Sequence, residues 1–112
     1  MKKITLPILT IAATIFAGGV FAYDPDDLQK LKDTGDCVEC DLKFVNLKGA
    51  NLKGANLEGS TLMSANLIRA NLKGANLEGV NLYKANLSNA RMKGVILCNT
   101  TMPDGSVIYS GC

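Results

Sequence analysis

From Cys40 onward the large apolar residues fall on every fifth position, and the residue two places before each one is small. Cut in steps of five, the chain reads CDLKF, VNLKG, ANLKG, ANLEG, STLMS, ANLIR, ANLKG, ANLEG, VNLYK, ANLSN, ARMKG, VILCN, TTMPD. These are thirteen blocks; the third letter is always Leu or Met, and the second is Asn in eight of them. A helix spaces apolar residues at i, i+3, i+4 and i+7, and a strand at every second position. On a helix successive Leu residues would rotate by about 500° and scatter around the axis; along a flat strand they would alternate between faces. A chain that turns by the same corner in every block returns each Leu to one central line. Four corners close a coil of twenty residues. That accounts for ANLKGANLEG standing at residues 50–59 and again at 70–79. Successive coils would stack at ~4.8 Å, the spacing of paired strands. Leu then lies on Leu, the small first residue also points inward, and Asn and Gly serve the corners.

Outside the repeat the pattern changes. Asp24-Pro25-Asp26-Asp27 combines an N-cap residue, a proline for the first helical position and carboxylates for the first turn. Leu28 and Leu31 share one face, and Gly35 is a stop. The spacing predicts a short amphipathic helix over residues 24–34, a lid whose leucines cover the bottom of the lumen. At the other end, Pro103-Asp104-Gly105 is a turn signal that would fold residues 107–109 back across the top of the column.

The blocks resemble the pentapeptide-repeat family, whose pattern is A-(D/N)-L-x-x. The resemblance runs from Cys40 to Met102, and seven blocks begin with Ala. It implies an all-β solenoid: a right-handed quadrilateral β-helix of a little over three coils, here with a short N-terminal capping helix. The handedness comes from the resemblance and not from the period. Some members of the family protect DNA topoisomerases by imitating duplex DNA, which requires a negative surface.

Charge removes that role. The first 22 residues have Lys2 and Lys3, an apolar run over 4–17, and Val20 and Ala22 at the −3 and −1 positions of an export-signal cleavage site. The run is short against the ~20 apolar residues of a bilayer span, and it contains Pro7. The whole chain has 12 basic and 10 acidic residues; without Lys2 and Lys3 there are ten of each. A neutral exported domain is expected to bind neither nucleic acid nor an anionic membrane surface. Contact with a membrane is expected only if the signal segment is retained. The organisation read from the chain is a signal peptide at 1–22, a capping helix and Cys bracket at 23–39, the β-helix at 40–102 and a C-terminal cap at 103–112, in a periplasm or equivalent lumen or secreted.

Cys37, Cys40, Cys98 and Cys112 all follow the signal, and four cysteines in a small exported domain point to disulfides, with three pairings open. In the five-residue phase Cys37 takes a Leu-like inward position and Cys40 the small inward position of the next block. The two straddle one corner, where residues three apart come within disulfide reach. Pairing Cys98 with Cys112 would close a loop of about 15 residues, worth up to ~3 kcal/mol in the chain-entropy account. A four-cysteine zinc site is disfavoured, because the second pair is too widely spaced.

Catalytic chemistry has little to draw on. The chain has no His, Ser60 and Ser64 lack a base, and the glycines belong to corners and cradle no phosphate. No cofactor, metal or small-molecule substrate is expected. The expected role is a non-catalytic scaffold or protein-interaction module, with an unknown protein partner or a second copy of itself. The alternative is a small thiol–disulfide redox protein using Cys37 and Cys40. Two outer surfaces are candidates for contact: an apolar strip of Phe44, Met63, Ile68 and Tyr83, and a file of Lys53, Lys73 and Lys93.

Overall fold

The computed structural model describes residues 22–112. The export signal read at residues 1–22 therefore lies, but for Ala22, outside the described residues. Among these, no helix is long and apolar enough to cross a membrane.

Each coil is held to the next by parallel pairing between residues twenty apart. The bridges are Asp41 with Thr61, Asn46 with Asn66, Asn51 with Asn71, Asn56 with Asn76, and so on up to Asn81 with Thr101. One side shows the rule: the Leu52 N–H donates to the Asn71 carbonyl at 2.8 Å, and the Asn71 N–H donates back down to the Ala50 carbonyl at 2.9 Å. The corner lies between the third residue of one block and the first of the next. The Ala50 N–H donates to the Leu47 carbonyl and the Ala55 N–H to the Leu52 carbonyl, each at 3.0 Å. Such an i to i+3 turn with positive φ at its third residue favours glycine there, and Gly54, Gly59 and Gly79 all have φ of 68°. Phe44, Ser64, Arg69, Lys84 and Asn89 hold the equivalent place at φ between 58° and 61°, so the coil imposes this conformation even where no glycine stands.

Two sequence expectations are adjusted by these bonds. The asparagines stand on the sides and reach toward the corners with their side chains: Asn51 Oδ1 accepts from the Lys53 N–H at 3.2 Å, and Asn81 Oδ1 from the Tyr83 N–H at 2.9 Å. The all-β expectation also holds only in a particular sense. A turn every five residues leaves one paired residue per side, so regular strand among the described residues is confined to β1 (Thr100–Thr101) and β2 (Val107–Ile108). The column itself consists of single bridges.

Inside, Leu42, Leu47, Leu52, Leu57, Leu62, Leu67, Leu72, Leu77 and Leu82 are all fully buried, together with the small residues two places before most of them. Each such Leu contributes ~1.5–3 kcal/mol gross, but only with another coil stacked on it.

The base is closed by α1 (Pro25–Thr34), capped by the Asp24 carboxylate on the Asp26 N–H at 2.8 Å and ended by Gly35 at φ 77°. Leu28 and Leu31 are buried against the lowest coil, as a lid requires. The lid also satisfies that coil's open donors, which have no coil beneath them. Asp27 Oδ2 accepts from the Asp41 N–H and Asp36 Oδ1 from the Asn56 N–H, both at 2.8 Å. The ladder begins one block earlier than the repeat was read, because the Cys37 N–H donates to the Asn56 carbonyl and the Glu39 N–H to the Glu58 carbonyl, both at 2.7 Å.

The top is finished differently. Strand β2 pairs antiparallel with β1, Thr100 opposite Ile108 and Thr101 opposite Val107. The link is a tight turn: the Gly105 N–H donates to the Met102 carbonyl at 2.9 Å, and the Met102 N–H to the Ser106 carbonyl at 2.7 Å, with Gly105 at φ 88°. So short a turn keeps the returning strand beside the one it left. The tail therefore does not lie across the whole mouth as expected. Tyr109 is 63% exposed, and Leu87, Met92 and Leu97 of the last coil are only half-buried.

Candidate functional site

One disulfide stands at each end of the column. Cys37 is bonded to Cys40 across one corner with their Cα atoms 5.6 Å apart, and Cys98 to Cys112 with theirs 4.8 Å apart. The first pair occupies a corner where the usual turn bond is missing. Ser60, one coil above, takes its place: its hydroxyl donates to the Cys37 carbonyl at 2.6 Å and accepts from the Cys40 N–H at 2.9 Å. Ser60 stands where most blocks have Ala, and it is 1% exposed. Sequence reasoning gave it no role; the visible signal was a lone hydroxyl at an otherwise apolar inward position, twenty residues above Cys40.

This arrangement does not support the redox alternative. Cys37 is 0% and Cys40 3% exposed, under α1, so an incoming thiolate has no line of attack. A carboxylate oxygen of Asp27 lies within 4.8 Å of both sulfurs. Those sulfurs are bonded to each other, and the carboxylate already accepts from Asp41, so the group is a structural bracket.

At the top, the Gly111 N–H donates to the Leu97 carbonyl at 3.0 Å, supplying the partner that the interrupted corner lacks. A Cβ at Gly111 would stand 2.9 Å from both the nitrogen and the oxygen of Leu97, so the tail seats itself only because this residue has no side chain. Thr100, fully buried in the position equivalent to Ser60, donates its hydroxyl to the Leu77 carbonyl at 2.7 Å.

The outer wall has four sides, each a file of blocks twenty residues apart. The first side carries Met63 and Tyr83, with Phe44 at its corner; the Phe44 N–H donates to the Met63 carbonyl at 2.9 Å and the Ser64 N–H to the Tyr83 carbonyl at 2.8 Å. These three are brought together. Ile68 lies around the corner on the second side, bonded through its carbonyl to the Gly49 N–H at 2.8 Å. Phe44 is 60% and Tyr83 40% exposed, while Met63 and Ile68 are half-buried. Neither α1 nor the tail hides the strip, although the hairpin turn touches its upper end: a Cβ at Gly105 would meet the Tyr83 ring at 3.6 Å. The Lys84 ammonium stands 5.3 Å from the centre of that ring. On the third side Lys53, Lys73 and Lys93 form one vertical file, since the Gly54 N–H donates to the Lys73 carbonyl and the Gly74 N–H to the Lys93 carbonyl.

Matched against known families, residues 40–79 and 65–102 fit the description Pentapeptide repeats, in eight copies. The chain belongs to the pentapeptide repeat family. It is similar to a solved pentapeptide repeat protein from the cyanobacterium Cyanothece 51142, at 39% identity and TM-score 0.54, over 67% of this chain and 47% of that one. A pentapeptide repeat protein of the Arabidopsis thaliana thylakoid lumen is 29% identical with TM-score 0.59, over 68% of this chain and 55% of that one. The chain thus spans about half the length of these two proteins. No curated protein matches it. Pentapeptide repeat proteins are in general a structural and interaction fold, and the stacked twenty-residue coil described above is this chain's version of it.

Proposed function

We propose that this pentapeptide repeat protein is an exported, non-catalytic scaffold, a right-handed quadrilateral β-helix whose first side docks another protein through Phe44, Met63 and Tyr83, with Ile68 at the edge. The observation that carries this reading is the exposure of Phe44 and Tyr83 on a wall whose inner leucines are all fully buried. Large apolar side chains held in the open on rigid backbone lose little entropy when a partner covers them. Export is supported by the Lys2-Lys3, apolar and small-residue sequence of the first 22 residues. It is supported also by the two disulfides, which form and persist in oxidising compartments. The relative from a thylakoid lumen is in keeping with it.

The test pairs an export assay with a binding assay. Mass spectrometry of the protein recovered from the periplasm is expected to find Tyr23 as the first residue. Cross-linking in periplasmic extract is expected to capture a partner with wild-type protein and to lose it with Tyr83→Asp or Phe44→Asp. Capture that is indifferent to both substitutions would remove the first side as the docking surface.

A further inference from the structure

Although the part after the signal is formally neutral, the fold sorts its charges by side. The third side, residues 50–54, 70–74 and 90–94, carries Lys53, Lys73, Lys93 and Arg91 and no acid. The fourth side, residues 35–39, 55–59, 75–79 and 95–99, carries Asp36, Glu39, Glu58 and Glu78 and no base. Both files climb one coil at a time: on the fourth side the Glu39 N–H donates to the Glu58 carbonyl at 2.7 Å and the Gly59 N–H to the Glu78 carbonyl at 2.8 Å. An ion pair forms elsewhere, between Lys43 and Asp41 at 3.6 Å. Among the described residues Lys53, Lys73, Lys93, Glu58 and Glu78 form none. Like charges stacked at strand spacing repel, and among the described residues no ion pair offsets that repulsion for these five.

We propose that a second copy of this chain docks here, the lysine side of one copy against the glutamate side of the next. Two features single out a copy over a linear polyanion. The lysine and glutamate files share one pitch, that of the coil, so Lys53 meets Glu58 and Lys73 meets Glu78 at successive levels when two such columns lie parallel. A polyanion on the lysine side would leave the neighbouring glutamates uncompensated, whereas copies satisfy both sides of every chain. The two sides are adjacent, so each docking step rotates the column by one of its four corners. A head-to-tail contact with that rotation closes into a ring of four. The corner at the centre of the ring is Gly54, Gly74 and Gly94; a Cβ at Gly54 or Gly74 would meet nothing within 4 Å among the described residues.

Sedimentation equilibrium of the processed protein tests this at two salt concentrations, because the Debye length falls from about 30 Å at 10 mM to 3 Å at 1 M. The expected result is a mass approaching four chains at low salt and one chain at high salt. Lys53→Glu with Lys73→Glu sets acid against acid at two levels of the contact, and Glu58→Lys with Glu78→Lys sets base against base there. Each double variant is expected to be a folded monomer by circular dichroism, and an equimolar mixture of the two is expected to recover the assembly. Wild-type protein that stays monomeric at low salt overturns the proposal. Retention of that monomer on an anionic polysaccharide resin would then assign the lysine side to a polyanion instead. An assembly that survives high salt or the charge reversals overturns it as well.

Discussion

At the residue scale the column depends on small groups in inward positions. Ser60 makes the sharpest case, because the repeat's own preference argues for Ala there. Ser60→Ala moves the block toward the repeat pattern yet leaves the Cys37 carbonyl and the Cys40 N–H buried without their shared partner. The expected loss is about 1–3 kcal/mol of stability, read by urea denaturation of the oxidised protein. An unchanged midpoint would mean that the corner finds its hydrogen bonds elsewhere. Leu72→Ala removes a fully buried side chain in mid-column and is expected to cost about 2–5 kcal/mol in the same assay. Gly111→Ala acts at the clasp: its Cβ would stand 2.9 Å from the Leu97 nitrogen and oxygen, so the tail must lift from Leu97. The expected readout is faster reduction of the Cys98–Cys112 bond by dithiothreitol, with the Cys37–Cys40 bond unaffected.

The elements at the two ends differ in what holds them. α1 is tied down by buried leucines and by the Asp27 carboxylate, which stands in for the missing coil beneath Asp41, so Asp27→Ala is expected to expose the Asp41 amide to faster hydrogen exchange without unfolding the column. The hairpin of β1 and β2 rests on its turn, where Asp104 accepts from the Ser106 hydroxyl at 2.6 Å and from the Ser106 N–H at 2.9 Å. The Ser106 hydroxyl first, and then its backbone N–H, hold the Asp104 carboxyl below its ordinary value of 3.8. A carboxyl lowered on folding stabilises the fold above that ordinary value and ceases to do so as pH falls through the lowered one. Amide exchange at Met102 and Ser106, corrected for intrinsic rates, is therefore expected to quicken on acidification below pH 3.8. Asp104→Ala should be quick at every pH. Much of this was legible in the chain: the five-residue beat, the twenty-residue phrase, the capped helix and the placement of all four cysteines. The standing of Ser60, Asp27 and Asp36 was not, because each acts on backbone groups brought near only when one layer is laid on another. The course of the tail was misjudged for a related reason. Pro103-Asp104-Gly105 announces a turn, but only its bond pattern reveals how tightly the strand returns.

For the whole molecule, neutrality in composition hid a strong lateral separation of charge, since counting residues ignores the side on which the coil places them. The same coil explains why the outer files, the buried leucines and both brackets can be named from one register, and that register is the claim on which the other assignments rest. Hydrogen-bond scalar coupling in an isotope-labelled sample measures it most directly, because coupling across a hydrogen bond names donor and acceptor together. The Leu52 amide is expected to couple to the carbonyl carbon of Asn71, and the Asn71 amide to that of Ala50. Coupling of the Leu52 amide to a carbonyl four residues earlier, as in a helix, would contradict the twenty-residue coil and every side assigned from it.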